Sequence, residues 1–348
     1  MPLCSRHVPA SRVRPMSQPI RPAVSLCVPT FRRPDGLRNL LSHVARLDYQ
    51  GPLSVIVVDN DADQLAGEAV VRAMAPGFPF PLTCVVEPRR GQTYACNTAF
   101  AAACRAPATD YVAVLDDDEY PAPTWLAEMI ATAIRYEADI VGGPVFPVFE
   151  DPDHWLARGG LYAPRRFVTG RVEMIYGAGT MLIRRDVLAH YLDEPFSHAF
   201  AFIGGSDYEL FIRCRRDGCS FAWADDARVF ETTPRARTTP RWLLLRYFRK
   251  GTEATRIDRR YSPGRASAIR RWGAGIGLIA YGLLAVPIVA WQGRISIMAK
   301  LLDAATGVGR LAAEFDIACE EYRAADAPVD TSRQAHPGGA RRSYGKVG

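Results

Sequence analysis

Tyr111-Val112-Ala113-Val114-Leu115-Asp116-Asp117-Asp118-Glu119 is an apolar, β-type run that ends in four consecutive carboxylates. Like charges this close repel one another unless a cation sits among them. All-oxygen ligands suit a hard divalent ion, and Mg²⁺ or Mn²⁺ held by one or two carboxylates commonly completes its shell with substrate phosphates. The block therefore points to a metal that grips a diphosphate. The competing reading is a solvated acidic turn that caps a helix starting near Pro123-Thr124-Trp125, because carboxylates also favour helix N-termini.

The flanking sequence bears on that choice. Residues 24–28 form a short strand candidate ending at Pro29. Pro34-Asp35 then starts a helix in which Leu37, Leu40, Leu41, Val44 and Leu47 recur at spacings of three and four. Residues 54–58 make a second strand before Asp59-Asn60-Asp61, residues 65–74 a weaker helix, residues 83–86 a third strand, residues 93–104 an alanine-rich helix and residues 111–115 a fourth strand. Such alternation implies right-handed crossovers and an α/β fold with a mainly parallel central sheet flanked by helices. Ligands of such sheets sit beyond the carboxyl ends of the strands, where Thr30, Asp59, Arg89, Arg90 and Asp116 to Asp118 all fall. There is no GxGxxG after the first strand and no GxxxxGK[ST], so dinucleotide and P-loop readings lack their phosphate-binding glycines.

Charge is unevenly placed along the 348 residues. The chain carries a formal +6, yet residues 241–271 hold ten Arg or Lys against Glu253 and Asp258, a local +8 that leaves −2 for the remainder. Residues 272–291 (WGAGIGLIAYGLLAVPIVAW) follow without a charge, long enough at ~1.5 Å per residue to cross about 30 Å of hydrocarbon. A Trp at each end suits an interfacial belt, and the preceding basic cluster suits a cytoplasmic flank facing anionic lipid. The alternative is a buried helix of a large soluble domain. Residues 295–315 keep helical apolar spacing among charges, as expected of a segment lying along a membrane surface or returning to the catalytic part. Residues 1–22 read as a disordered basic arm without a secretory signal, and residues 324–348 as a flexible tail. Eight scattered cysteines without a CxxC pair suit reduced core thiols and a cytosolic catalytic part. No nucleic-acid partner is expected.

The motifs in sequence order carry a resemblance. Val24-Ser25-Leu26-Cys27-Val28-Pro29-Thr30-Phe31-Arg32-Arg33, Val57-Val58-Asp59-Asn60, Arg90-Gly91-Gln92-Thr93-Tyr94-Ala95-Cys96-Asn97, the acidic quartet, Gly204-Gly205-Ser206-Asp207-Tyr208-Glu209 and Trp242-Leu243-Leu244-Leu245-Arg246 resemble the family 2 glycosyltransferases of GT-A fold over residues 23–250. Within that family the likeness is to bacterial exopolysaccharide transferases of the succinoglycan type. It implies an inverting, metal-dependent transfer from a nucleotide-sugar donor, most simply UDP-linked, to a lipid-linked glycan acceptor at the cytoplasmic membrane. Residues 251–323 then form a basic and hydrophobic membrane-associating region. All candidate site residues lie before residue 251, so deletion of 272–348 is expected to leave a folded nucleotide-binding part.

The resemblance also implies roles. Pro29, Thr30, Arg32 and Asp59 match nucleoside-contacting positions, and a carboxylate at Asp59 can accept from the base imide or a ribose hydroxyl. Arg90 and Asn97 match the segment lining the nucleotide cleft, Arg90 offering a fork of donors to phosphate. Asp118 matches the metal ligand of a DXD motif, with Asp116 and Asp117 on the donor side in either frame. An acceptor hydroxyl needs a base, and Asp207 matches that position. Ser206 and Glu209 also have capping-box spacing, which gives Glu209 a structural reading, and Ser206 departs from the Glu usual there. Gly204 and Gly205 let the acceptor approach the backbone, while Trp242 and Arg246 fall on the acceptor or phosphate side. His154 and His198 read as loop histidines, Trp155 and Trp223 as packing residues, and residues 151–171 as an acceptor-side loop. A nucleotidyltransferase, or a non-catalytic scaffold retaining the fold, remains the alternative function.

Overall fold

The structure, a computed structural model, describes residues 21–317 except 107, 178–179 and 202. The arm expected over 1–22, save its last two residues, and the tail expected over 324–348 lie outside the described residues.

The N-terminal half alternates as its periodicity implies: β1 (Val24–Thr30), α1 (Pro34–Val44), β2 (Leu53–Asp59), α2 (Ala66–Met74), β3 (Leu82–Val86), α3 (Gln92–Arg105) and β4 (Tyr111–Val114). β1 pairs in parallel with both β2 and β4, and β2 with β3. The first strand does not stop at Pro29 but runs through it to Thr30. Thr30 accepts the Asn60 N–H from the β2 side, so Pro29 faces the β4 side, and β4 ends opposite Cys27. No ladder bond is asked of the missing N–H there. Leu26 and Val28 enter a core with α1, α2 and α4 (Trp125–Tyr136), whereas Cys27 faces Phe100 of α3 on the other side. Burial on both faces explains why the strand reads as a continuous apolar run.

The second half is built from short pieces: β5 (Glu119–Pro121), β6 (Ile140–Gly142), β7 (Val145–Phe149), α5 (Trp155–Arg158), β8 (Gly170–Val172), β9 (Leu182–Arg184), α6 (Arg185–His190), α7 (Ser206–Arg216), β10 (Phe221–Trp223) and β11 (Val229–Thr233). The central sheet has the order β3-β2-β1-β4-β9-β6-β10-β8. Only β9 and β8 run against their neighbours, so it is mainly parallel. A small second sheet, β5-β11-β7, lies beside it.

Three long helices close the chain: α8 (Pro240–Tyr261), α9 (Arg265–Val289) and α10 (Arg294–Glu314). Thr239 caps α8 by accepting the Trp242 N–H, with Pro240 in the first turn. The boundary expected at residue 250 falls inside α8, which runs through it unbroken. α10 returns to the body and packs between α8 and α9. Its Gly309 meets the Phe248 carbonyl, an approach that leaves no room for a Cβ. Residues 151–171 are less open than expected, because Trp155, Leu156, Leu161 and Tyr162 pack onto Leu243 of α8 and Met298 and Leu302 of α10. Trp223 is buried in the core, and the six described cysteines are free.

Candidate active site

The strand ends meet at an open cleft of ≈ 660 Å³. β1 supplies Pro29 and Thr30 to its wall, the turn after β2 supplies Asn60, and β4 runs directly into Asp116 to Asp118. β5 intervenes between these acids and α4, whose N-cap Thr124 makes no side-chain capping bond. The acidic turn therefore serves the cleft rather than a helix end.

Each acid is held by a named partner. Thr30 Oγ1 donates to Asp117 Oδ2 at 2.9 Å, and Arg33 Nη1 reaches Asp117 Oδ1 and Asp118 Oδ2 at 2.9 Å each. Arg237 Nη1, just after β11, lies 3.2 Å from Asp118 Oδ2 and 3.0 Å from Glu231 Oε1. Gln92 Nε2 donates to Asp116 Oδ1 at 3.0 Å, while the Asp116 N–H donates to Glu119 Oε2 at 2.9 Å. Asp117, Asp118 and Glu231 thus share Arg33 and Arg237, while Asp116 and Glu119 have Gln92 and the Asp116 N–H as their partners. Burial, then Asp118 and Asp117, push the Asp116 carboxyl up to about 8. Burial and Asp116 raise Glu119, and burial and Asp118 raise Glu231. Burial also raises Asp117, against the pull of Arg33.

An excess of buried oxygen ligands and negative charge matches the chemistry of a hard divalent ion. Among the described residues no group of three or more His, Cys, Asp or Glu side chains is arranged as a protein-only cage. An ion held by one carboxylate and completed by substrate phosphates needs no such cage.

The facing wall comes from α7 and α8. α7 starts after Gly205, and the expected capping box does not form. Glu209 is fully buried, its carboxylate 2.9 Å from Arg213 and bonded by the Tyr261 hydroxyl, because charged partners inside the fold outcompete one exposed backbone N–H. Ser206 Oγ instead accepts from Thr93 Oγ1 at 3.3 Å, tying the start of α7 to the start of α3. Asp207 lines the cleft in the first turn of α7. Gly204 and Gly205 both have φ +84°, and a Cβ on Gly204 would lie 2.7 Å from Glu253 Oε1. Both glycines line the cleft beside Glu253 of α8. Burial and Asp207 push the Glu253 carboxyl up to about 7, against Arg249, Lys250 and Arg246. Burial, then Arg246 and Arg165, bring Lys250 down to about 8.

Of the residues singled out from sequence, Pro29, Thr30, Arg90, Asp116, Asp117, Asp118, Gly204, Gly205, Asp207, Trp242 and Arg246 all line this one cleft. Three expected there stand elsewhere. Asp59 is fully buried behind the wall, its carboxylate accepting the Glu68 and Asp61 N–H groups, so it fixes α2. Arg32, at φ +54°, turns to Asp61 at 2.7 Å and over the Phe31 ring, which leaves Arg33 to face the acids. Asn97 clasps both the N–H and the C=O of Phe196 at 2.8 Å, pinning the segment before α7 to α3. His154 caps α5, whereas His198 lies 3.5 Å from Glu194, four residues earlier, and stacks on Tyr94. Sequence reading missed Arg33, Glu231, Arg237 and Glu253. Only Glu253 left a signal, since it falls eleven residues after Trp242, on the helix face that carries Arg246, Arg249 and Lys250.

A mainly parallel sheet whose strand ends carry a clustered set of carboxylates, faced by a further acid across the cleft, is the architecture of sugar-nucleotide transferases of GT-A type. Residues 22–249 match the family described as glycosyltransferase like family 2, and the chain belongs to that family. It is 30% identical over 285 residues to the succinoglycan biosynthesis protein ExoM of Rhizobium meliloti (strain 1021), covering 80% of this chain and 90% of ExoM. Among solved structures, the mannosyltransferase PcManGT of Pyrobaculum calidifontis, in complex with GDP-Man and Mn2+, superposes with a TM-score of 0.55 at 21% identity, over 85% of this chain and 88% of that one. TarS 1-349 of S. aureus, in complex with UDP-GlcNAc, does so at 0.50 and 13%, over 84% and 92%. These two likenesses concern the fold. Family membership makes the protein a glycosyltransferase and sets aside the nucleotidyltransferase and scaffold alternatives.

Proposed function

We propose that the enzyme is an inverting, metal-dependent transferase that moves a sugar from a nucleotide-sugar donor, UDP-linked in the first instance, to a lipid-linked glycan during cell-surface polysaccharide synthesis. The observation that carries the reading is the placement of Asp116 to Asp118 and Asp207 on facing walls of one cleft. The pathway follows from the name of ExoM, a succinoglycan biosynthesis protein.

Asp118 is the residue that would hold the metal, and a bound Mg²⁺ or Mn²⁺ supplies Lewis-acid neutralisation of the departing diphosphate. Arg33 and Arg237 orient Asp118 and temper the charge around it. The starts of α3 and α7 both contribute backbone to the cleft, where helix N-termini favour phosphate. Asp207 accepts the acceptor hydroxyl proton as that oxygen bonds the anomeric carbon, and the bond from the anomeric carbon to phosphate oxygen breaks with its electron pair leaving on the nucleoside diphosphate. Attack opposite the leaving group inverts the anomeric centre.

The catalytic body sits at the cytoplasmic membrane, on its cytoplasmic side. In support, the stretch from Arg265 to Gln292 is long and apolar enough to cross a membrane by length and composition, and only 11% of it is buried. Screening UDP- and GDP-sugars with a membrane lipid extract, reading nucleotide release, tests the whole reading. Release that no donor provokes, with or without extract, would reject it.

A further inference from the structure

Resting on the membrane association just proposed, the geometry points to how α9 meets the bilayer: it lies in the plane of one leaflet, sunk along its length, and does not cross. Both ends of the apolar helix are fastened to the same folded body. At its start, Arg271 pairs with Glu314 of α10 at 2.5 Å and donates to the Ser262 carbonyl at the end of α8. Just beyond its end, the Arg294 guanidinium stacks over the Trp155 ring at 4.7 Å, and Ile295 packs on Gly159 beside α5. A crossing helix would need that body on both sides of the bilayer.

The middle of α9 is no freer to leave. Gly275 and Gly282 are buried on α10, where a Cβ at Gly282 would stand 2.6 Å from the Lys300 carbonyl and one at Gly275 2.7 Å from Leu311. The two helices therefore run antiparallel in close contact. A spanning α9 would draw α10 through the hydrocarbon with Lys300, Asp303 and Arg310, charges that are costly at the bilayer centre. α10 is in turn locked to α8 where Gly251 meets Thr306 and Gly309 meets Phe248, and α8 carries Arg246, Lys250 and Glu253 into the cleft.

The opposite side of α9 is apolar and uncovered. Ile276, Leu283, Leu284 and Ile288 are all exposed, as is Trp291 just beyond its end. An interfacial helix ordinarily keeps a polar face toward water. Here α10 stands in place of that face. Exposed Arg265 and Arg270 at one end and Arg294 at the other give the surface a cationic rim suited to anionic headgroups.

The test uses the full-length chain with Pro263→Cys or Gln292→Cys, exposed positions that bracket α9. Each is probed with a membrane-impermeant maleimide in spheroplasts and in inside-out vesicles, with the parent chain giving the background of native thiols and nucleotide release confirming the fold. An in-plane helix predicts that both positions label in inside-out vesicles and that both signals are lost in spheroplasts. Labelling of one position in each preparation shows a span and overturns the inference while leaving membrane association intact. A protein that leaves the membrane fraction in a salt wash without detergent overturns the inference together with the reading beneath it.

Discussion

Arg237 Nη1 lies 3.2 Å from Asp118 Oδ2, although 119 residues separate the two in the chain. The second sheet makes this possible, since β11 hydrogen-bonds the acidic turn through Thr232 N–H to the Asp118 carbonyl. The carboxylate proposed for the metal is thus aimed from the backbone side and from the side chain.

Replacing that carboxylate tests the metal reading. Asp118→Asn should abolish transfer and weaken donor binding measured in Mn²⁺ or Mg²⁺, and wild-type enzyme should lose turnover in excess EDTA. Full turnover in EDTA counts decisively against a metal requirement.

Asp207→Asn keeps the shape but cannot take a proton, so turnover should drop at least ~10²-fold with donor affinity close to wild type. Glu209→Gln should behave in the opposite way. Breaking its buried pair with Arg213 should cost on the order of 3 kcal/mol of stability, seen as a lower Tm, while folded enzyme keeps most of its turnover. Interchanged phenotypes would remove Asp207 from its assigned role.

The Glu253 carboxyl gives a pH signature. Its value is 4.5 in the unfolded chain and about 7 in the fold, raised by burial and Asp207 against Arg249, Lys250 and Arg246. A raised acid favours the fold below the unfolded value, and that advantage is lost as pH climbs through the folded one. Wild type should therefore lose stability relative to Glu253→Gln between about pH 4.5 and 7, by on the order of 2 kcal/mol. Denaturant midpoints across that range read the difference, below where Lys250 titrates. Parallel curves would show that Glu253 titrates in the fold as it does in the unfolded chain.

Deleting residues 272–348 should do more harm than the chain alone suggests. The cut removes α10, and with it the partners of Leu243 in the cluster under α5. α8 carries Arg246, Arg249, Lys250 and Glu253, so nucleotide release should fall even with a soluble acceptor, alongside a reduced Tm. A truncated enzyme with native Tm and activity would show that α8 stands without α10.

The elements legible in sequence were those with a sustained period. β1, β2 and β4 are buried on both sheet faces and so read as apolar runs, and α1 buries Leu37, Leu40, Leu41 and Val44 as their spacing names. β6, β8, β9 and β10 have only three residues each, too few for alternation to register. The acids and Asp207 were legible because charge at a strand end and at a glycine-led helix start is costly without a use. Arg33 was hidden behind Arg32, since which arginine faces the acids depends on the left-handed turn at Arg32. Glu231 and Arg237 reach the cleft only through tertiary packing.

α8, α10 and α9 form a stack from cleft wall to exposed apolar surface, with α10 as the spacer. Neighbouring packed helix axes lie ~8–10 Å apart, so α10 keeps α8 about one helix removed from α9 over most of their length. Were α9 seated in a leaflet as inferred above, the enzyme would work as a gauge. For the lipid-linked acceptor proposed above, a sugar joined directly to its lipid would stay beneath the opening, whereas a chain already several residues tall would bring its terminal hydroxyl nearer Asp207. Selection for an acceptor at one stage of assembly would then arise from altitude, before any sugar is recognised by its hydroxyls.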